Sequence, residues 1–198
     1  VLPTAEHTIA LILMSLKNLY SNILNMQNKK WIQLQGYNLK GKVVGIIGLG
    51  LIGKAVAKIL NSFGCKIVYY DIKKIKFKKY LKVSINKLFK ISDIICIHAS
   101  FSKSLENLIN KKTLKKIKKK AILINTARGG FVNEKDLYFH LKKNREFTAV
   151  FDCFKNEPYR GKLLKLKNFL ATPHISSNTK ESRKMMSKNS FMNIIKNL

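Results

Sequence analysis

Acidic side chains are scarce in this sequence. Ten Asp and Glu stand against 39 Lys and Arg, a net charge of +29 over 198 residues. Such a surplus invites a nucleic-acid reading. The shortage of arginine argues against a dedicated binder. Lysine outnumbers it 35 to 4, and arginine does most bidentate recognition of bases and phosphates. The lysines are also spread along the chain. The densest run, "KKTLKKIKKK" at 111–120, reads as a solvated helix face ahead of a buried strand. Abundant Asn and Ile beside the lysine fit a genome with AT-rich codons. The expectation is no specific nucleic-acid partner.

Cysteine is scarce too. Cys65, Cys96 and Cys153 each lie in or beside an apolar, strand-like run. An odd count without paired spacing argues against a disulfide framework and against a zinc site. No metal is expected, and buried thiols suit a reducing, cytoplasmic location. Long apolar runs are missing: "IALILMSL" at 9–16 is about half of the roughly 18 residues a membrane helix needs. No membrane partner is expected. No leader or lipidation motif is visible, and the chain opens on Val1 rather than Met. There is no internal repeat, low-complexity segment or second domain.

What is present is a core. The hydrophobic fraction of 46% suits one compact domain and is too high for disorder. The spacing predicts a helix from Pro3 to about residue 20. A strand at 43–47 precedes a helix at about 51–63, stopped by Gly64. "KIVYY" at 66–70 is a second strand ending at Asp71. "SINKLFKI" reads as a helix capped by Ser84, "DIICIH" at 93–98 as a strand, and "LENLINKKTLKKI" as helical. "AILIN" at 121–125 is a buried strand, and "NEKDLYFHLKKN" a helix capped by Asn133. "FTAVFD" at 147–152 and "FLAT" at 169–172 are short strands. The tail is helical from about Thr179 to the end. Strands alternating with helices imply an α/β fold, a doubly wound parallel sheet with helices on both faces.

"VVGIIGLGLIGKAVAKIL" at 43–60 carries Gly48, Gly50 and Gly53 as G-x-G-x-x-G, directly after a strand and opening a helix. This is the Rossmann-type arrangement. The first glycine permits the turn, the second lets backbone approach a pyrophosphate, and the third lets helix pack on strand. The helix N-terminus favours the phosphate charge. Asp71 follows Gly53 by 18 residues, close to the spacing of about 20 at which an acid meets the ribose hydroxyls. A carboxylate there repels a 2′-phosphate, so NAD is expected over NADP. Lys73 and Lys74 temper that preference.

Further along, Arg128 in "INTARGG", Asp152 and Glu157 in "FDCFKNEP" and His174 in "ATPHISS" each fall at the carboxyl end of a strand. That rim is where open α/β sheets bind ligands. Arginine clamps a carboxylate or polarises a carbonyl. Histidine exchanges a hydroxyl proton near neutral pH, and a carboxylate beside it orients the ring and favours its protonated form.

These stretches, with "TAEHTIALIL" and "SDIICIHASFSKSLENLIN", run in the order found in the nucleotide-binding domain of D-isomer-specific 2-hydroxyacid dehydrogenases. The chain resembles that family over nearly its whole length, and is most similar to its phosphoglycerate dehydrogenase-like branch. The resemblance implies Arg128 as binder of the substrate carboxylate, His174 as acid/base and Glu157 as its partner. It implies NAD contacts from Gly48, Gly50, Leu51, Ile52, Gly53, Asp71, His98, Thr126, Ala127, Arg128, Asp152 and His174. Asp152 would meet the nicotinamide carboxamide. It further implies a small 2-hydroxy or 2-oxo acid as substrate and a homodimer built through the first helix. Leu51 replaces an Arg frequent in the family, Ser100 replaces a usual Pro, and Ser176 and Ser177 follow "PHI". The family's substrate domain, about a hundred residues ahead of "AEHT", has no counterpart in this chain. The expectation is therefore one dinucleotide-binding domain over 1–198, its first and last helices leading to an absent substrate domain. The alternative is a non-catalytic NAD-binding or interaction module, or a truncated gene product.

Overall fold

A computed structural model describes residues 1–73 and 77–196. Lys74 and the last two residues of the expected C-terminal helix lie outside the described residues.

Among the described residues, seven strands form one parallel sheet: β1 (Val43–Ile47), β2 (Lys66–Tyr70), β3 (Leu81–Lys82), β4 (Ile94–Ile97), β5 (Ile122–Asn125), β6 (Thr148–Phe151) and β7 (Phe169–Ala171). Their spatial order is β3-β2-β1-β4-β5-β6-β7, with every pairing parallel. The chain therefore reverses its winding between β1 and β4, which opens a crevice at their carboxyl ends.

Period-two alternation sends each strand's side chains to two cores. Ile94 and Cys96 of β4 join one, and Ile95 and Ile97 the other. The first core is covered by α1 (Leu2–Leu16) and α3 (Leu51–Ser62). The second is covered by α4 (Ile85–Ile91) and α6 (Glu134–Lys143). In β1, β4, β5 and β6 both strand faces are buried, so these strands read as apolar runs. Ser84 caps α4 and Asn133 caps α6 through side-chain oxygens, as expected. Gly64, with φ +78°, follows the end of α3.

Three expectations change. The first helix stops at Leu16, and α2 (Leu19–Gln27) begins after Asn18, which adopts a left-handed φ of 50°. The helix expected at 105–117 is mostly irregular. A 3-10 turn at Lys103–Leu105 leads to Asn107, again left-handed with φ 53°. Ile109 then bridges Val132, and only α5 (Lys111–Leu114) is helical, started by a capping box on Asn110. The Asn cap and the bridge satisfy backbone groups that a continuous helix would have used. The two-residue β3 was not expected at all. The last helix, α7, spans Lys180–Lys196.

Candidate active site and cofactor cleft

The turn after β1 is built by close approach. Gly48 has φ +92°, and a Cβ there would overlap the Ala99 backbone just past β4. A Cβ on Gly53 would overlap the carbonyl oxygen of Gly48, so α3 starts pressed against the turn. Gly50 differs: a Cβ there would meet nothing within 4 Å. The protein's own packing leaves open space above it. Gly50 is also the N-cap of α3, and no side chain caps that helix. The first amides of a helix have no carbonyl partner within it, so those of Leu51 and Ile52 are available to an anion. Leu51 itself is 75% exposed and brings no charge.

Asp71, just past β2, faces this turn. Its Oδ2 accepts the Leu49 amide and its Oδ1 the Lys73 amide, each at 2.8 Å. Each oxygen keeps a further acceptor site, enough for a ribose diol. A cavity of about 150 Å³ is lined by Gly48, Gly50, Asp71, His98, Ser100 and Leu105, among others. Nε2 of His98 is buried with no hydrogen-bond partner among the described residues, and burial pushes the ring's pKa down to about 4. An open cradle over Gly50, an uncapped helix start, spare acceptors on Asp71 and an orphaned nitrogen at one cavity fit a dinucleotide.

At the carboxyl ends of β5, β6 and β7 lies the second constellation. Asn125, wholly buried at the end of β5, shapes the turn that follows. Its amide donates to the Arg128 carbonyl at 2.9 Å and its Oδ1 accepts the Ala127 amide at 3.1 Å. Thr126 is buried in that turn. Arg128 is exposed, and its Nη1 donates to the Ala127 carbonyl at 2.7 Å; its remaining N–H groups point to no described acceptor. A Cβ on Gly129 would overlap the backbone of Phe154 and Lys155. The arginine turn therefore rests directly on the loop that carries Glu157.

Glu157 and His174 meet. Nδ1 of His174 lies 2.8 Å from Glu157 Oε2, while Glu157 Oε1 accepts the Phe154 amide at 2.8 Å. Partial burial works against the Glu157 charge, yet the bonds from His174 and Phe154 hold its carboxyl below the ordinary value. His174 itself sits at a left-handed φ of 52°. Asp152 fixes that loop. Its side chain is wholly buried and accepts the Thr172 hydroxyl at 2.6 Å, the Ile175 amide at 2.8 Å and the Ser176 amide at 2.9 Å. Burial opposes this charge as well, but His7, Thr172 and the two amides keep the carboxyl well below the usual range. Burial, with Asp152 and Glu157 nearby, pushes the Cys153 thiol up to about 12, while Arg128 opposes the shift. Arg128 makes no hydrogen bond or ion pair to His174 or Glu157 among the described residues.

Several residues at this rim act by holding loops, and their roles escape sequence reading: Asn125, Thr172, His7 and Thr8. Asn125 and Thr172 stand in "INTARGG" and "ATPHISS", quoted above for Arg128 and His174, and His7 and Thr8 in "AEHT", quoted for its resemblance. All three cysteines are free and buried, and no group of metal-ligating side chains occurs among the described residues.

A glycine turn at the switch point of this sheet, with an acid at the end of the next strand, defines a dinucleotide-binding domain of the Rossmann type. The comparisons narrow the class. The family model described as "D-isomer specific 2-hydroxyacid dehydrogenase, NAD binding domain" matches residues 9–176, and the chain belongs to that family. Its cofactor is NAD. The chain is 36% identical over 187 residues to the hydroxypyruvate reductase of Thermotoga maritima, covering 91% of this chain and 61% of that protein. It is 41% identical over 165 residues to the glyoxylate reductase of Thermococcus litoralis, covering 81% and 50%. The structure of D-lactate dehydrogenase from Aquifex aeolicus complexed with NAD and lactic acid superposes with a TM-score of 0.89. There the identity is 28%, and the match covers 97% of this chain and 65% of that one. The chain thus spans about three fifths of the length of such relatives.

Proposed function

We propose that this chain is the cofactor half of an NAD-dependent dehydrogenase, acting on a small 2-hydroxy acid or its 2-oxo counterpart. The observation that carries the reading is the His174–Glu157 pair at 2.8 Å, held at the same sheet rim as the glycine turn. Bound NAD would supply hydride acceptance and return at the substrate C2. The protein's part is binding and proton handling. The amides of Leu51 and Ile52 with Gly48, Gly50 and Gly53 hold the pyrophosphate. Asp71 takes the ribose hydroxyls, and His98 lines the same cleft. Thr126, Ala127 and Asp152 bound the nicotinamide end. Arg128 holds the substrate carboxylate through its free N–H groups. His174 gives a proton to the oxygen on C2 during reduction and takes it back during oxidation, while Glu157 supports the charged ring. A second domain over the rim would complete the cleft and exclude water.

The deciding experiment is titration of the chain with NADH at moderate salt, followed by a 2-oxo acid reduction assay on a chain completed with a relative's substrate domain. No binding of NADH would refute the reading. Binding with no turnover would favour a cofactor-sensing module.

A homodimer belongs to the same proposal. α1 buries Ala5, Ile9, Leu11 and Ile12 against its own core, so its continuation is the better contact. α2 has no buried residue, and it exposes Tyr20, Ile23 and Met26 beside Trp31, which is 79% exposed. That apolar surface suits a second copy. Sedimentation equilibrium is expected to give a dimer, and Ile23→Asp with Trp31→Asp a monomer.

A cytoplasmic location and the lack of a specific nucleic-acid partner complete the reading. Three free, buried thiols support the first, and scarce arginine the second. No helix among the described residues is long and apolar enough to cross a membrane. Any DNA or RNA binding is expected to ignore sequence and to fade between low and physiological salt.

A further inference from the structure

We infer that His7 is a positioning residue of this site: from α1 it holds, through Thr172 and Asp152, the loop that presents His174. The inference rests on the dehydrogenase reading for its purpose, and on the following geometry for its substance.

Nε2 of His7 lies 3.2 Å from the Thr172 hydroxyl and 3.5 Å from Asp152 Oδ1. Thr172 gives its one hydroxyl hydrogen to Asp152 at 2.6 Å. Toward His7 the hydroxyl therefore only accepts, and the His7 ring is the donor at Nε2. The result is a directed chain, His7 to Thr172 to Asp152, in which each bond polarises the next. Asp152 receives this chain on the oxygen that also accepts the Ile175 amide, and its other oxygen accepts the Ser176 amide. Ile175 and Ser176 follow His174 directly. A wholly buried carboxylate needs such donors. Among the described residues, the only ion-pair partner of Asp152 is His7.

The neighbouring Thr8 makes a second contact from α1 to this rim. Its hydroxyl gives its hydrogen to the Thr4 carbonyl and lies 3.0 Å from the Thr126 hydroxyl. Adjacent residues on a helix point about 100° apart. His7 and Thr8 thereby reach two different loops, one carrying His174 and the other Arg128.

The test uses amide hydrogen exchange and NMR on this chain. The variants are His7→Leu, which keeps bulk without a donor, and His7→Gln, whose amide replaces the Nε2 donor. The Leu variant is expected to speed exchange of the Ile175 and Ser176 amides by about fivefold to tenfold, the scale of one lost hydrogen bond. The Leu123 and Val150 amides in β5 and β6 should not change. The His174 Cε1–H resonance should move in the Leu variant and return in the Gln variant. Thr172→Val added to His7→Leu should cost less than the sum of the two single variants, because both act on one chain. Unchanged Ile175 and Ser176 protection in the Leu variant would overturn the role. So would a loss that Gln fails to restore, since ring packing would then explain it. If the Leu variant unfolds, the Gln variant decides alone: exposed loop amides over a protected core sink the inference. NADH titration of the parent runs alongside. Its failure would refute the dehydrogenase reading and leave the His7 result standing.

Discussion

Glu157 holds the Phe154 amide with one carboxylate oxygen and His174 Nδ1 with the other, both at 2.8 Å. The first bond ties the carboxylate to its own loop, so the imidazole is oriented by backbone. Glu157→Gln keeps the shape and removes the charge. In a chain completed with a substrate domain, NADH affinity is expected to stay unchanged while kcat for reduction falls, because the ring loses the carboxylate that orients it. His174→Ala should lower kcat at least about a hundredfold. A near-parental kcat in either variant would make the pair structural.

Gly50 and Gly53 are three residues apart and should respond oppositely to one methyl group. A Cβ on Gly50 enters open space, whereas one on Gly53 overlaps the Gly48 carbonyl oxygen. Gly50→Ala is expected to change stability by less than about 0.5 kcal/mol and to weaken NADH binding clearly. Gly53→Ala should cost stability, about 1–3 kcal/mol or more, by overpacking. Urea melts and NADH titrations of both variants check this. Undiminished NADH binding by Gly50→Ala would remove the pyrophosphate from that position.

Asp71 should set cofactor choice. Its carboxylate already accepts two backbone amides, so it is fixed where a 2′-phosphate would lie. NADH is expected to bind more tightly than NADPH, and Asp71→Asn to narrow the gap. The titration needs moderate salt, because a net charge of +29 attracts any phosphate. Equal or tighter NADPH binding by the parent would refute the assignment.

The strands other than β3 were legible because they are apolar runs, α3 because its apolar residues recur at helical spacing up to Gly64, and α4 and α6 because side-chain oxygens cap them. Ser84 and Asn133 announce their helices locally. The break at Asn18 was not legible, since apolar residues recur through it at helical spacing and only a left-handed φ marks it. The misread stretch at 105–117 shows the same limit. Asn107 turns the chain, and Ile109 is claimed by Val132, twenty-three residues away. β3 is too short to show a period. In the candidate site, Glu157 and His174 were read from their chemistry, and they lie 2.8 Å apart. Residues that hold loops, such as Asn125 and Thr172, were not, because their partners (backbone groups for Asn125, the Asp152 and His7 side chains for Thr172) are brought together only by the sheet. Scarcity helped: of ten acids, Asp71 and Asp152 directly follow strands and Glu157 lies in the loop after β6.

His98 should make the protein acid-sensitive in a defined window. Burial lowers its ring to about 4 from 6.5. Between those values the unfolded chain binds a proton that the folded ring refuses, so stability rises with pH. It is therefore lost as pH falls from about 6.5 to about 4, by a total on the order of 3 kcal/mol. Below that window both states are protonated and His98 costs nothing more. Burial also pushes His140 down, which adds to the loss with the same sign. Asp152 acts elsewhere: its lowered carboxyl stabilises the fold above the usual Asp value near 3.9 and gives way only below it. Urea unfolding at intervals from pH 7.5 to 4.5, without cofactor, separates these contributions. The parent should lose stability steadily below pH 6.5, and His98→Leu should lose markedly less over the same range, whatever its stability at pH 7.5. Equal slopes in the two proteins would show that the His98 ring takes its proton freely in the folded state, and that its nitrogen is not sealed in the cleft.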